Sequence, residues 1–290
     1  MGDFQTHCLV CGSPAITAWP RYRHIHLMRC SQCRFVFSGK IPSTQELLNL
    51  YSSYGRNDYL SPITIKRFHE ILDGLEPVRQ TNRMLDVGCG IGYFLAEAAK
   101  RKWEVYGTEF TPEAVEICRG KGINMQEGSL NPAHYAPESF DVIISIEVIE
   151  HINHPREEVQ KFARLLRPGG VVYLTTPNFN SVSRKILHEK WNVLSYPEHL
   201  CYYTPKTLTR LFAGFGFRRE KIKTTGVSIT RLRSSATGIA EVAVAAGSQD
   251  EKLRRKFESS FLLQRVKSVV NGLLNLTGTG DHLKATMVKR

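Results

Sequence analysis

Met84-Leu85-Asp86-Val87-Gly88-Cys89-Gly90-Ile91-Gly92 is a short apolar run that ends in three alternating glycines. The run reads as a buried strand, and Tyr93–Lys102 behind it as a helix. Glycines at a strand-to-helix turn let the backbone approach a ligand closely and leave helix N-terminal amides facing it. A nicotinamide-dinucleotide fingerprint would need glycine three residues after Gly90, where Tyr93 stands, so that reading fails. An acid, Asp86, closes the strand instead. A second strand, Glu104–Phe110, carries Glu109 23 residues after Asp86, placed to accept hydrogen bonds from both hydroxyls of a ribose. Taken alone, Glu109 is equally a helix N-terminal charge ahead of Thr111-Pro112. Together the two signals are far more specific than either.

The rhythm continues outward. Asn124–Gly128 reads as a third strand, and Phe140–Glu147, continuously apolar until its end, as a fourth strand buried on both faces. A helix over Pro155–Arg167 leads through Pro168-Gly169-Gly170, expected as a turn, to a fifth strand at Val171–Pro177. Helix Pro205–Gly214 precedes a sixth strand near Phe217–Ile229, and His282–Lys289 reads as a last strand. Alternation at this spacing predicts an α/β fold with a doubly wound parallel sheet.

In front of that region stand Cys8-Leu9-Val10-Cys11 and Cys30-Ser31-Gln32-Cys33, with 18 residues between the pairs. This is the spacing of a structural zinc site, two knuckles closing a tetrahedron of thiolates. The segment is too short to build a core, so a metal would supply the missing folding energy. Reduced cysteines in a small β-subdomain and a redox pair are the alternatives, and two pairs at this spacing favour zinc over both. His7, His24 and His26 are extra candidate ligands, more often bystanders beside four thiolates.

Of the 290 residues, 42% are hydrophobic and 23% charged, which excludes a largely disordered chain. No apolar stretch is long enough to span a bilayer, and the N-terminus has no signal-peptide pattern, so the expected compartment is the cytosol. The net charge of +12 is uneven: +4 over residues 1–40, −1 over 41–217 and +9 over 218–290. Basic ends suit an acidic partner, a nucleic acid, a phosphorylated substrate or an anionic membrane, or are plain solvated surface.

These residues resemble the class I S-adenosylmethionine-dependent methyltransferases, of the type 11, 12 or 23 branch. The resemblance covers about residues 83–229. It is carried by the Leu85–Gly92 run, Gly107-Thr108-Glu109, Phe140-Asp141-Val142-Ile143, Glu150-His151-Ile152 and Leu166-Arg167-Pro168-Gly169-Gly170. It implies a Rossmann-like seven-stranded sheet with His282–Lys289 as the antiparallel seventh strand. It also implies S-adenosylmethionine as cofactor, with Asp86, Gly88, Cys89, Gly90 and Gly92 around its methionine part and Glu109 on its ribose. An acid commonly follows the glycine after strand three, near the adenine. Here Ser129 and Leu130 stand in that place, Leu130 offering a backbone amide. The expected organisation is a zinc ribbon at 1–40, a helical linker at 41–82 covering the cofactor site, and the methyltransferase domain at 83–290, with a helical insertion at 230–276. A ribbon followed by Tyr51, Tyr54 and Tyr59 is similar to the layout of sugar C-methyltransferases and some polysaccharide-modifying methyltransferases. Those tyrosines either close over the cofactor or pack between ribbon and core.

Methyl transfer from a sulfonium needs alignment and removal of a proton from the acceptor. Candidates at the carboxyl ends of strands four and five are Glu147, Glu150, His151 and Asn178, with Tyr196, Glu198 and His199 in a later aromatic-rich segment. Glu150-His151 is common to the family across many acceptors, so His151 reads as mostly architectural. His199, in an irregular loop, is the better base candidate, although a structural histidine is the commoner outcome for any single His. The strand-four end lacks the Asn/Asp-Pro-Pro-aromatic loop of exocyclic-amine methyltransferases. The expectation is a methyltransferase acting on a sugar, nucleotide sugar or glycoconjugate. An RNA methyltransferase ranks second and a non-catalytic cofactor-binding scaffold third. In the insertion, Leu253, Phe257, Phe261, Val266, Val269, Val270 and Leu273 recur at helical spacing beside Arg254, Arg255, Lys256, Arg265 and Lys267. That pattern fits a helix covering the sheet, a dimer contact, or a basic amphipathic helix on an anionic membrane, which would place the chain at the membrane periphery.

Overall fold

The computed structural model describes residues 4–52, 60–227 and 261–290. The N-terminal region holds β1 (Ile16–Ala18), β2 (Leu27–Cys30) and β3 (Val36–Ser38), followed by helices α1 (Thr44–Ser52) and α2 (Pro62–Leu75). Strand and helix then alternate through β4 (Arg83–Val87), α3 (Tyr93–Lys100), β5 (Glu104–Glu109), α4 (Pro112–Gly120), β6 (Asn124–Glu127), β7 (Phe140–Ile146), α5 (Pro155–Leu165) and β8 (Leu166–Pro177). After β8 come α6 (Val182–Leu187), the two-residue β9 (Cys201–Tyr202), α7 (Pro205–Ala213), β10 (Phe217–Thr225), α8 (Phe261–Thr277) and β11 (His282–Lys289).

Seven strands form one sheet in the order β10-β11-β8-β7-β4-β5-β6. β4 through β8 pair in parallel, and β11 runs antiparallel between β8 and β10. This is the doubly wound seven-stranded sheet the sequence predicts. β7 lies at its centre and buries every residue from Phe140 to Ser145, which is why its apolar run has no alternation. The order of strands reverses direction at β4, so the loops after β4 and β7 share the ligand-binding crevice of such sheets.

Pro168-Gly169-Gly170 is not a turn. β8 runs unbroken from Leu166, which pairs with Phe140, and the register shifts before Val171 pairs with Val142. Gly169 takes φ +77, and a Cβ on Gly170 would lie 3.0 Å from the Asp141 carbonyl oxygen. The glycines make a bulge that lets β8 pass close to β7.

That bulge sits over a buried ion pair. Asp141, with no exposure, accepts from Arg167 Nε at 2.6 Å through Oδ1 and from the Gln80 and Asn82 amides at 2.9 and 2.8 Å through Oδ2. Burial alone would raise the Asp141 pKa, but these donors outweigh it and hold the carboxyl below its ordinary value. Two family motifs, Phe140–Ile143 and Leu166–Gly170, therefore fasten β7 and β8 to the α2–β4 connection, at the edge opposite the glycine loop.

The second sheet has the order β1-β2-β3-β9. Its fourth strand comes from far down the chain: Val36 pairs with Tyr202 and Phe37 with Cys201, and the Ser38 amide donates to Leu200 O at 2.8 Å. Tyr22, Leu27 and Val36 pack with Phe179, Trp191 and Tyr202 in one buried cluster.

α8 is attached by polar groups. Asn275 Oδ1 accepts from the Thr224 amide at 3.0 Å, Asn271 Oδ1 from the Gly226 amide at 2.8 Å, and Thr224 Oγ1 donates to Leu274 O at 2.7 Å. Leu274 faces β10, whereas Val266, Val269, Val270, Leu273 and Leu276 are exposed. The apolar stripe read from the sequence thus faces outward. Leu253, Arg254, Arg255, Lys256 and Phe257 lie outside the described residues, as do Tyr54 and Tyr59 and the expected end of strand six. Among the described residues no helix is long and apolar enough to cross a membrane.

Replacing Asp141 by Ala strands the Arg167 guanidinium in the core. We expect a loss of about 3–5 kcal/mol in unfolding free energy. Urea denaturation measures it, and a loss below about 1 kcal/mol would show the clamp to be dispensable.

Candidate functional site

The glycine loop turns over the end of β4 with φ +71, +54 and +75 at Gly88, Gly90 and Gly92. A Cβ on Gly92 would lie 2.6 Å from Ile123 Cδ1, whereas one on Gly90 meets nothing within 4 Å. The inner side of the loop is thus packed and its Gly90 side is open. β5 holds the loop in place: the Gly88 and Cys89 amides donate to Thr108 O at 2.9 and 3.0 Å. The Gly90 amide donates to Glu109 Oε2 at 3.0 Å, and Glu109 Oε1 accepts from the Phe110 and Thr111 amides at 2.7 and 3.2 Å. A carboxylate has about four acceptor sites, so Glu109 keeps capacity for a hydroxyl donor.

Asp86 is buried at the end of β4. Burial, and then the charges of Cys118 and Glu109, push its pKa well above the usual carboxylate range. Cys89 turns inward: a Cβ on Gly107 would lie 2.7 Å from its Sγ, so this side chain packs beneath the loop. After β6 Leu130 is buried and Ser129 exposed. The turn there is fixed by Gln126, whose Nε2 donates to Ser129 O and whose Oε1 accepts from the Asn131 amide at 3.1 Å. Gln126 was not singled out from the sequence. Its place inside a strand gives no motif to read.

At the neighbouring carboxyl end of β7 the structure assembles residues far apart in sequence. His151 Nδ1 lies 2.6 Å from Glu198 O, and His199 Nδ1 lies 2.6 Å from Val193 O. The two rings are 4.8 Å apart by centroid. A carbonyl only accepts, so each Nδ1 carries a proton. Burial, with His199 alongside, lowers the His151 pKa and favours its neutral form. Glu150 is buried, its pKa raised well above normal by burial and then by Glu147. The main chain locks this group: Glu150 O accepts from the Leu200 and Cys201 amides at 2.8 and 2.9 Å. Glu147, half-exposed, accepts from Thr175 Oγ1 at 2.7 Å, with His282 Nδ1 3.9 Å away. Thr175 and His282 were not anticipated, because only the antiparallel insertion of β11 beside β8 brings His282 there.

Other sequence candidates are spent on architecture. Asn178 Nδ2 donates to the Gly278 and Gly280 carbonyls at 3.0 and 2.7 Å, closing the loop before β11. Tyr196 OH reaches the Glu46 carboxylate at 3.4 Å, beside Lys40. Tyr51 lies in the last turn of α1.

The four N-terminal cysteines converge. Cys8 Sγ lies 3.5 Å from Cys33 Sγ and Cys11 Sγ lies 3.6 Å from Cys30 Sγ, with all four within 4.8 Å of one another. Zinc–sulfur bonds of ~2.3 Å in a tetrahedron put sulfurs about 3.8 Å apart, so the set fits that ion. Each knuckle closes the same way: the Gly12 amide donates to Cys8 O at 2.9 Å and the Arg34 amide to Cys30 O at 3.0 Å. Arg34 takes a φ of +64, where the first knuckle uses Gly12 at +71. The Cys33 thiol lowers the Cys8 pKa to about 5. His7, His24 and His26 are not among the converging groups; His7 Nδ1 pairs with the Thr6 hydroxyl and His26 packs against Tyr196.

The sheet order and the loop after its first parallel strand define the S-adenosylmethionine-dependent methyltransferase fold. The pattern of a family described as a methyltransferase domain matches residues 63–222, and the chain belongs to that family. The curated ubiquinone biosynthesis O-methyltransferase of Paracidovorax citrulli is 37% identical over 119 residues, covering 38% of this chain and 49% of that protein. The protein of that name from Aeromonas salmonicida is 28% identical over 142 residues, covering 44% and 60%. The chain thus spans about half the length of the curated relatives it matches. Among solved structures, a SAM-dependent methyltransferase from Archaeoglobus fulgidus superposes with a TM-score of 0.53 at 16% identity, covering 85% of this chain and 100% of that one. Phosphoethanolamine N-methyltransferase 2 of Haemonchus contortus, in complex with S-adenosyl-L-methionine, gives 0.53 at 19% identity, covering 88% and 61%. At these identities the structures speak to the fold.

Proposed function

We propose that this chain transfers a methyl group from S-adenosylmethionine to a hydroxyl of a small acceptor, a sugar, nucleotide sugar or glycoconjugate. One observation carries the reading. β4 and β7 are adjacent parallel strands, so the open glycine loop and the imidazole-and-carboxyl group lie side by side at one edge of the sheet. Asp86 and Gly88, Cys89, Gly90 and Gly92 would hold the methionine part, Glu109 the ribose, and Ser129 and Leu130 the adenine side. Asp86 supports the fit, because a buried carboxyl pushed toward neutrality is returned to carboxylate by an ammonium group. Bound there, the cofactor would supply an electrophilic methyl on a sulfonium sulfur, with the neutral thioether as the leaving group and the acceptor oxygen as the nucleophile.

The chain's own work is to align the acceptor and take its proton. Glu147, His151 and His199 would do so: one half-exposed carboxyl group and two imidazoles at the carboxyl end of β7 support that assignment. The name O-methyltransferase borne by the relatives supports oxygen as the receiving atom. The sugar rests on the similar layout of ribbon and aromatic segment. The exposed apolar face of α8, bordered by Arg265 and Lys267, supports an anionic lipid surface as the place where a lipid-linked acceptor is met. The ribbon cysteines Cys8, Cys11, Cys30 and Cys33 would hold one structural zinc.

Glu109→Ala removes a charged hydrogen-bond acceptor of about 1.5–3 kcal/mol, so calorimetry should show cofactor binding weakened roughly tenfold or more. Unchanged affinity would take Glu109 out of the site. A wild-type chain that ignored S-adenosylmethionine would defeat the whole reading.

Cys8→Ser/Cys30→Ser should lose one equivalent of zinc and unfold at lower temperature. Full zinc content with full stability in this variant would remove the ribbon assignment.

The acceptor is tested by mass-shift screening of nucleotide sugars, glycolipids and structured RNA with labelled cofactor. Methylated sugar is expected, with a glycolipid in anionic vesicles modified faster than in neutral ones. Methylated RNA alone would refute the sugar reading, and equal rates on both vesicles would refute the lipid surface.

A further inference from the structure

Residues 218–290 carry +9 of the net charge, and the fold gathers part of it on one face of the large sheet. Lys284 in β11 lies directly opposite Lys223 in β10. Cross-strand partners in an antiparallel pair share a face with Cβ atoms about 5 Å apart, and like charges so placed destabilise the pair. On its other side Lys284 is paired with Thr175 of β8. This is the face that α2 covers. Tyr173 and Val288, an even number of residues from Thr175 and Lys284 along their strands, pack in one cluster with Phe68, Ile71 and Leu72 of α2.

α8 closes over the same face and sends a lysine inward. Lys267 stands one turn before Asn271 and two turns before Leu274, the residues that meet the end of β10, and it is half-buried. α2 adds Arg67 and Glu70, both exposed on its flank. Lys284 is itself half-buried. Burial first, and then Arg67, with Lys223 and Lys267 in support, lowers its pKa, while Glu70 works the other way. Among the described residues neither Lys284 nor Lys223 makes an ion pair with any acid. Three lysines and an arginine are thus held beside one glutamate against their own repulsion. An anion between them would turn that repulsion into attraction and restore the charge on Lys284.

The trough opens at the acceptor edge. His282, two residues before Lys284 on the same face, has Nδ1 3.9 Å from Glu147 Oε1. Two residues of strand span about 7 Å, a distance that a sugar ring with its substituents bridges. We propose that Arg67, Lys223, Lys267 and Lys284 form a subsite for the phosphoryl group of the acceptor, which is then a sugar carrying a phosphate or diphosphate. Lysine serves such a group as a point charge, and the half-buried places of Lys267 and Lys284 suit a small anion entering from the acceptor edge. That the anion belongs to the acceptor rests on the methyltransferase reading; the anion site itself does not.

The probe is inorganic pyrophosphate, titrated by calorimetry into the full chain with and without S-adenosylmethionine. One equivalent should bind, and Lys223→Gln/Lys284→Gln should bind it about tenfold or more weakly. Lys206→Gln/Arg210→Gln removes the same charge from the exposed side of α7 and should leave the affinity unchanged. Each variant is checked for a native circular-dichroism spectrum, and if the first fails to fold, Lys223→Gln alone replaces it. Uridine diphosphate glucose in solution and a polyprenyl diphosphate-linked sugar in neutral vesicles then compete with pyrophosphate. Displacement by the first alone names a nucleotide sugar as the source of the phosphate, and by the second alone a lipid-linked one. Displacement by neither would overturn the acceptor role, and displacement by structured RNA alone would give this face to a nucleic acid. No binding of pyrophosphate, or equal binding in the trough variant and the α7 variant, would overturn the site. If the cofactor fails to bind while pyrophosphate still does, the enzyme reading falls and the anion site stands.

Discussion

The carbonyl oxygen of Glu150 accepts two amides, from Leu200 at 2.8 Å and Cys201 at 2.9 Å. This bifurcated bond joins the end of the central strand to a segment that has already left the sheet. One residue further along, Cys201 and Tyr202 pair with Phe37 and Val36 as the fourth strand of the ribbon sheet. The position of His199 beside His151 depends on this strap. It joins the segment beside the 4.8 Å contact of the His151 and His199 rings to the ribbon sheet, whose pairing ends two residues from His199. The ribbon sheet therefore backs the segment after β8 that carries His199.

The two edges of the large sheet divide labour through their acids. At the amino edge Asp141 is ionised and saturated, bound to Arg167 and two backbone amides. At the carboxyl edge burial holds Asp86 and Glu150 toward their neutral forms. Removing a charge from water is repaid only by good partners, so one edge supplies cohesion and the other carries unspent binding capacity. Open α/β sheets bind ligands at the carboxyl edge, and the electrostatics here explain why that edge is the receptive one.

How much could be read from the sequence follows from the range of the forces involved. The Asp86–Gly92 loop, Glu109 and the cysteine pairs were legible because local covalent spacing specifies them. Arg34 was not, since its left-handed conformation is imposed by knuckle closure and the identity of the residue gives no hint of it. Pro168-Gly169-Gly170 looked like a turn because those residues break most strands. The carbonyl of Asp141 passing close to Gly170 makes them a bulge instead. β9, with no propensity of its own at two residues, forms through pairing with Val36 and Phe37, and His282 comes beside Glu147 because β11 pairs with β8, a strand more than 100 residues earlier.

α8 shows the same limit from the other side. Helical periodicity located its apolar stripe and left a helix covering the sheet, a dimer contact and a membrane-surface helix open, and Asn271 and Asn275 make the attachment while Val269 and Leu273 face out. The geometry of a helix decides the choice. Asn271 and Asn275 are one turn apart, and both take amides at the end of β10, Gly226 and Thr224. A helix pinned along that line cannot also turn Val266, Val269, Val270 and Leu273 inward, because they occupy a different face. Periodicity reports that a stripe exists. Which surface meets the sheet is set by the backbone groups that need partners there, and satisfying two amides fixed the rotation of α8 at the expense of five exposed apolar side chains.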